Sequence, residues 1–176
     1  MTNPAPRYRL NSFSLTTKLV IVCIAALSFS GREILKFGVA AFGHEEIRLL
    51  VKFGIVLAGL YSLSGFSLTR DKITAAILLI VLGVVASMAL GLPEEQVHLI
   101  MFAVLGASLF RDFRPAPAAM TYAIVIGITV GGLDELLQAA LPWRVGDLRD
   151  VFINALGVIW GVLAQNSASK PNVANP

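Results

Sequence analysis

Six stretches of 13–21 residues in this chain carry no Asp, Glu, Lys or Arg, and their lengths decide most of what it can fold into. They are residues 19–31, 53–69, 73–93, 96–110, 115–133 and 151–169. Crossing a bilayer core takes about 20 largely apolar residues, within a range of roughly 17–25. Four of the stretches meet that length outright. The fourth in order is short, but counted from Pro93 it can span; proline suits the first helical position, and Glu94 and Glu95 behind it suit the first turn. Lipid offers no partner to backbone N–H and C=O groups, so these segments are expected as helices and not strands. The expected fold is therefore all-α, a polytopic transmembrane bundle of about six helices. Composition agrees, because 56% of residues are apolar and only 14% charged, where a soluble domain carries roughly 25% charge. A disordered chain is excluded and an ordinary soluble globule is disfavoured.

The first stretch has a second reading. Arg7, Arg9 and Lys18 precede a short apolar run ending Ser28-Phe29-Ser30, which also fits a secretory signal with a small-x-small cleavage site. The rest of the chain is itself membranous, which favours an uncleaved first helix. Residues 34–42 either extend that helix or lie along the surface.

Six spans place both ends on one side. That side collects Arg7, Arg9, Lys18, Arg70, Lys72, Arg111, Arg114 and Lys170 against Asp71 and Asp112, whereas the opposite loops are net acidic. The positive-inside rule then puts both ends in the cytoplasm. The net charge of +3 arises from residues beside apolar runs, so membrane lipids and not nucleic acid are the expected partners. Residues 1–17 read as a cytoplasmic segment, 18–164 as the transmembrane domain, and 165–176 as a polar, disordered tail. A lone cysteine, Cys23, forbids an internal disulfide and any Cys-based metal cluster.

Polar residues gather in residues 131–161. Asp134 and Glu135 fall near the end of the fifth span, with Gln138 four and three positions on, so either pair can share a helix face. Carboxylates there oppose the helix dipole, and a charge at membrane depth costs roughly 2.5–3.5 kcal/mol even on lenient scales. Pro142 should end that helix. Asp147 can cap the sixth helix and Asp150 can complete a capping box. Asp150, Asn154, Gly157 and Gly161 nevertheless form one helical stripe. The glycines there, like Gly127 and Gly131, read as a close-packing face. Glu94, His98 and Phe102, spaced by four, add a second stripe entering from the same surface. Trp143 and Trp160 read as interfacial anchors, and His44-Glu45-Glu46 as a solvated loop.

A headgroup position or an interhelical hydrogen bond would account for each of these residues singly; their convergence on one surface argues for a site. His98 with a carboxylate could serve as an acid/base pair or as metal ligands, and His98 and Glu135 are the candidate acid/base residues. Glu94, Gln138, Arg144, Asp150 and Asn154 are the candidate binding residues. In this assignment Arg144 holds an anionic group such as a lipid phosphate, Asp150 orients Arg144 or a metal, and Asn154 reads a polar headgroup. With His44 and His98 the only histidines, no metal centre and no cofactor are expected.

The succession Glu135-x-x-Gln138, Arg144, Asp150, Asn154, Gly157 and Gly161 resembles the hallmark of VanZ-like membrane proteins. That family commonly carries an earlier acidic-x-x-x-His motif with a tyrosine one turn beyond, here Glu94, His98 and Phe102. Glu95 stands where lysine is frequent, and Phe102 where tyrosine is. The similarity covers about residues 93–164 well, while the first three spans match only in hydrophobicity. The resemblance implies an integral protein of the bacterial cytoplasmic membrane with a role in the cell envelope. The founding member is associated with teicoplanin resistance; an envelope role, and not resistance itself, is what carries over.

Four functions fit these residues. An outward-facing pocket could bind an envelope lipid, a peptidoglycan precursor or a glycopeptide-type ligand. An acid/base enzyme could act on such a lipid or precursor, although no activated serine or cysteine nucleophile is visible. A transporter ranks lower, because the charges cluster at one end and not at the midplane. The fourth is a structural subunit of a larger complex.

Overall fold

The computed structural model describes residues 13–64, 70–90, 93–114, 116–144 and 146–168. They form six helices: α1 (Leu15–Phe42), α2 (His44–Ser62), α3 (Arg70–Ala89), α4 (Pro93–Phe113), α5 (Ala119–Ala140) and α6 (Leu148–Ala168). No strand occurs among the described residues. Arg7, Arg9, Lys170 and the segment past Ala168 lie outside them, as do the side chains of Arg70, Asp71 and Lys72.

Three described helices, α4, α5 and α6, are long and apolar enough to cross a membrane. The surface pattern supports a lipid environment. On α5, Leu133 and Leu136 are 59% and 66% exposed, while their neighbours Asp134 and Glu135 are only 6% and 4% exposed. A soluble protein has this arrangement reversed.

The first helix is longer than its charge-free run. It continues without a break through Arg32, Glu33 and Lys36 to Phe42, so residues 34–42 extend α1. Ser14 caps its start by accepting from the Thr17 N–H at 3.3 Å. Gly43 ends it at φ +98°, donating its N–H to the Val39 carbonyl at 2.9 Å. Only glycine adopts that φ without a Cβ clash. The next residue, His44, already begins α2, with Glu45 and Glu46 in its first turn; this segment is helix and not a loop. Pro93 opens α4 as expected. Leu141 leaves α5 in an extended conformation just before Pro142, as the steric demand of proline requires. The last helix runs to Ala168 and buries Gln165, so the stretch expected as tail from Gln165 is helical for its first residues.

The core is built on α4 and α6. Phe102, Leu105, Leu109, Val158 and Val162 are fully buried, joined by Ala123 of α5 and Ile24 of α1. A Cβ on Gly106 would strike the Val158 backbone, and one on Gly157 would lie 2.7 Å from the Leu99 carbonyl. Small residues thus let two backbones approach closely, which is how helices associate where apolar burial gives no drive. Gly127 and Gly131 serve α5 likewise, against Val158 and Asn154 of α6.

The start of α1 and the end of α6 lie at the same end of the bundle. At one end, Asp112 of α4 accepts from the Ser14 N–H at 3.0 Å and the Thr17 hydroxyl at 2.7 Å. There too Arg111 donates to Gln165 Oε1 from Nε at 3.0 Å, and to the Tyr61 carbonyl and Ser64 hydroxyl. Its guanidinium lies 4.2 Å from the centre of the Tyr61 ring. This closure joins the start of α1 to the ends of α2, α4 and α6. The start of α4, the end of α5 and the start of α6 therefore share the opposite end. Trp160 is not an interfacial anchor: its indole N–H donates to the Leu79 carbonyl at 2.8 Å, tying α6 to α3. Trp143, in the α5–α6 turn, is exposed.

Candidate functional site

The polar residues of α4, α5 and α6 meet at that opposite end. Asp134, Glu135, Gln138 and Asn154 are all buried, Asn154 completely. Asn154 is the centre of the network. Its Oδ1 lies 2.9 Å from His98 Nδ1, and its Nδ2 donates to Glu135 Oε1 at 3.3 Å. A carbonyl oxygen only accepts, so Nδ1 is the donor in this contact. The His98 ring lies nearly parallel to Phe102 beneath it, with centroids 6.4 Å apart. His98 Nδ1 is also 3.7 Å from Glu135 Oε1 and 3.9 Å from Asp134 Oδ2.

The α5 carboxylates are held mainly by neutral donors. Gln138 Nε2 donates to Asp134 Oδ2 at 3.1 Å and to Glu135 Oε1 at 3.4 Å. The Ser28 hydroxyl, arriving from α1, donates to Asp134 Oδ1. Glu135 Oε2 accepts the Asp147 backbone N–H at 3.3 Å. This last contact revises the expected capping box. Asp147 does cap α6, its Oδ1 accepting the Arg149 N–H at 2.9 Å, but Glu135 and not Asp150 takes the cap residue's own N–H. Asp150 is thereby left out of the cap; among the described residues its carboxylate has no hydrogen-bond or ion-pair partner.

Arg144 is held by Gln138, whose Oε1 accepts from it at 2.6 Å, and not by Asp150. Asn154, fully enclosed, orients His98 and Glu135 and cannot face a headgroup directly. Of the two adjacent carboxylates on α4, Glu94 is exposed while Glu95 is buried and pairs with Arg149 of α6 at 2.9 Å. Glu95 Oε2 is buried without a partner among the described residues.

A cavity of about 160 Å³ opens beside this network, between α1, α4 and α5. Its polar lining is Ser28, Arg32, Glu94, His98, Asp134, Gln138 and Arg144, and its apolar wall comes from residues such as Leu27, Leu35, Val97 and Met101. Glu94, His98, Gln138 and Arg144, four of the residues expected at a site, therefore border one space. Glu135, Asp150 and Asn154 do not line it. Among the described residues Ser28 is the only hydroxyl on the wall, and it donates to the Asp134 carboxylate.

Sequence reasoning missed Ser28, Arg32, Glu95 and Arg149. Ser28 and Arg32 are four apart on α1, and that spacing with Gly31 was the available signal for a helix face turned inward. Nothing local marked Glu95 over Glu94.

An apolar exterior with ionisable side chains sealed into one end of a helical bundle defines a membrane-type helical protein with an internal polar site. Residues 11–167 match the VanZ/LLP1 family, nearly the whole chain, and the chain belongs to that family. The match takes in α1–α3 as well as the motif-bearing half. Comparison with curated proteins and with solved structures returned no match.

Proposed function

We propose that this chain is a multi-pass protein of the bacterial cytoplasmic membrane whose cavity opens outward and binds the phosphate-bearing headgroup of an envelope lipid. The observation that carries the reading is the lining of the cavity: Arg32 and Arg144 stand on a wall that is otherwise partly apolar and partly hydrogen-bonding. Guanidinium groups are suited to phosphate through paired N–H donors. The apolar residues of α1 and α4 suit the first carbons of an acyl or prenyl chain. Size narrows the ligand further. Sites for whole small molecules run about 300–1,000 Å³, so 160 Å³ suits a headgroup and not an entire glycopeptide. Binding is favoured over acid/base catalysis because Glu135, the carboxylate expected to work with His98, does not line the cavity.

Orientation rests on charge. Lys18, Arg111 and Arg114 lie at the end away from the cavity, which the positive-inside rule assigns to the cytoplasm. A single cysteine at Trp143, in a Cys23→Ser background, should react with a membrane-impermeant maleimide added to intact spheroplasts. Labelling only after lysis would reverse the orientation.

Ligand binding is tested with the purified chain in nanodiscs of neutral lipid, titrated with fluorescent phosphatidic acid. Arg144→Ala is expected to weaken binding about tenfold or more, with membrane abundance unchanged. Equal binding by wild type and Arg144→Ala would defeat the headgroup reading.

A further inference from the structure

Behind His98, away from the cavity, three metal-donor side chains from three helices converge. An imidazole nitrogen of His98, a carboxylate oxygen of Glu135 and one of Asp150 all lie within 4.8 Å of one another. Ligand bonds to a first-row divalent ion are roughly 2.0–2.2 Å for nitrogen and oxygen, so donors around one ion sit roughly 3–4 Å apart. A small inward movement of each side chain closes the set.

Charge argues independently. Asp134, Glu135, Asp150 and Glu95 are gathered at one end of the bundle, and only Glu95 has a guanidinium partner. Asp134 and Glu135 rely on neutral donors and a distant imidazole, and Asp150 has no hydrogen-bond or ion-pair partner among the described residues. Asp134, Glu135 and Glu95 are buried and Asp150 half-buried, and carboxylates so placed are held either by a proton or by a cation. Glu95 supplies a second sign. It is 4% exposed, its Oε1 is taken by Arg149, and its Oε2 is a buried oxygen with no partner, within electrostatic range of Asp150. Asn154 Oδ1, 2.9 Å from His98 Nδ1, orients the ring, as outer-shell groups commonly do for metal-binding histidines.

We propose that His98, Glu135 and Asp150 bind one divalent metal ion with mixed nitrogen and oxygen ligation, of the Mn²⁺ or Zn²⁺ kind, with Glu95 as the neighbouring carboxylate. One imidazole with several carboxylates is a donor set for such ions and not for a thiolate-type centre. A bound ion also relieves the acidity that would repel a phosphate from the adjoining cavity. The site does not depend on the lipid reading, since its donors lie outside the residues that would hold the headgroup, His98 excepted.

The test uses the full chain in detergent, stripped with EDTA and titrated with MnCl₂ alone, with free Mn²⁺ followed by electron paramagnetic resonance. One Mn²⁺ per chain is expected, displaced by Zn²⁺, with a thermal transition that rises with metal concentration. Asp150→Asn should weaken binding at least tenfold; its carboxylate has no hydrogen-bond partner to lose, so the melting transition should persist. His98→Gln makes the same comparison if Asp150→Asn does not fold. Arg144→Ala should bind Mn²⁺ like the wild type, so failure of the headgroup reading and failure of the metal site are distinguishable. No saturable Mn²⁺ or Zn²⁺ binding to the folded wild type, or binding unchanged in both Asp150→Asn and His98→Gln, overturns the proposal.

Discussion

Replacing Gly161 by alanine is expected to drive α6 away from α4 and to cost about 3 kcal/mol or more, at the upper end of overpacking penalties. The added methyl would collide with the Ala103 carbonyl oxygen, and would lie 2.8 Å from the Ala103 carbonyl carbon and 2.9 Å from the Ala107 nitrogen. These are backbone atoms of a helix and cannot turn aside as a flexible side chain would. The helices must separate, and Gly157, one turn earlier and also packed against the α4 backbone, would lose its seat with them. In a chain of this length such a loss corresponds to a fall of roughly 6–12 °C in the thermal transition, measured on protein in detergent. Gly132→Ala is the matched control. Nothing lies within 4 Å of a Cβ there, so its transition should stay level or rise slightly through better helix propensity. A Gly161→Ala protein as stable as the wild type would mean that α4 and α6 do not pack in this way.

The second large effect belongs to Asn154. Asn154→Leu keeps an apolar body of similar size but removes both hydrogen bonds at the centre of the site. The imidazole N–H is then left unpaired in the interior, and Glu135 Oε1 keeps only the 3.4 Å bond from Gln138. Each orphaned group costs about 1–3 kcal/mol in a water-soluble reference; membrane interiors give smaller values, about 0.6 on average and 1.7 at most. A loss of about 1–3 kcal/mol in total is expected, together with disorder of His98 and weaker binding at both the cavity and the carboxylate cluster. The origin of the loss can be separated. In the double variant His98→Phe/Asn154→Leu the imidazole no longer needs a partner, so part of the stability should return while binding does not. If Asn154→Leu alone left stability and phosphatidic acid binding intact, the 2.9 Å bond to His98 would have no role in organising the site.

Much of the architecture was legible from one dimension. The charge-free runs announced six helical elements, Pro93 and Pro142 marked a start and a stop, and the glycines at 157 and 161 marked a close-packing face. The motif residues announced a polar site as well, and Glu94, His98, Gln138 and Arg144 do border one cavity. The failures are instructive because each concerns which way a side chain faces. The two α4 carboxylates are sequence neighbours, about 100° apart around the helix. Periodicity from His98 favoured Glu94, yet Glu95 is the one turned inward to Arg149. Asp150 looked like half of a capping box until Glu135, from another helix, took the N–H it would have used. Ser28 resembled part of a cleavage site, and it instead donates to Asp134, far along the chain.

What the sequence determined by itself is therefore the local part: helices form where apolar length and backbone self-satisfaction demand them, whatever their neighbours. Only the tertiary structure decided which carboxylates are buried, that Asn154 joins His98 to Glu135, and that Arg32 of α1 lines the same cavity as Arg144. The reason is that the rotation of each helix about its own axis is set where backbones touch. The contacts of Gly106, Gly157 and Gly161 fix α6 on α4, those of Gly127 and Gly131 fix α5 on α6, and the polar residues face wherever those close approaches turn them.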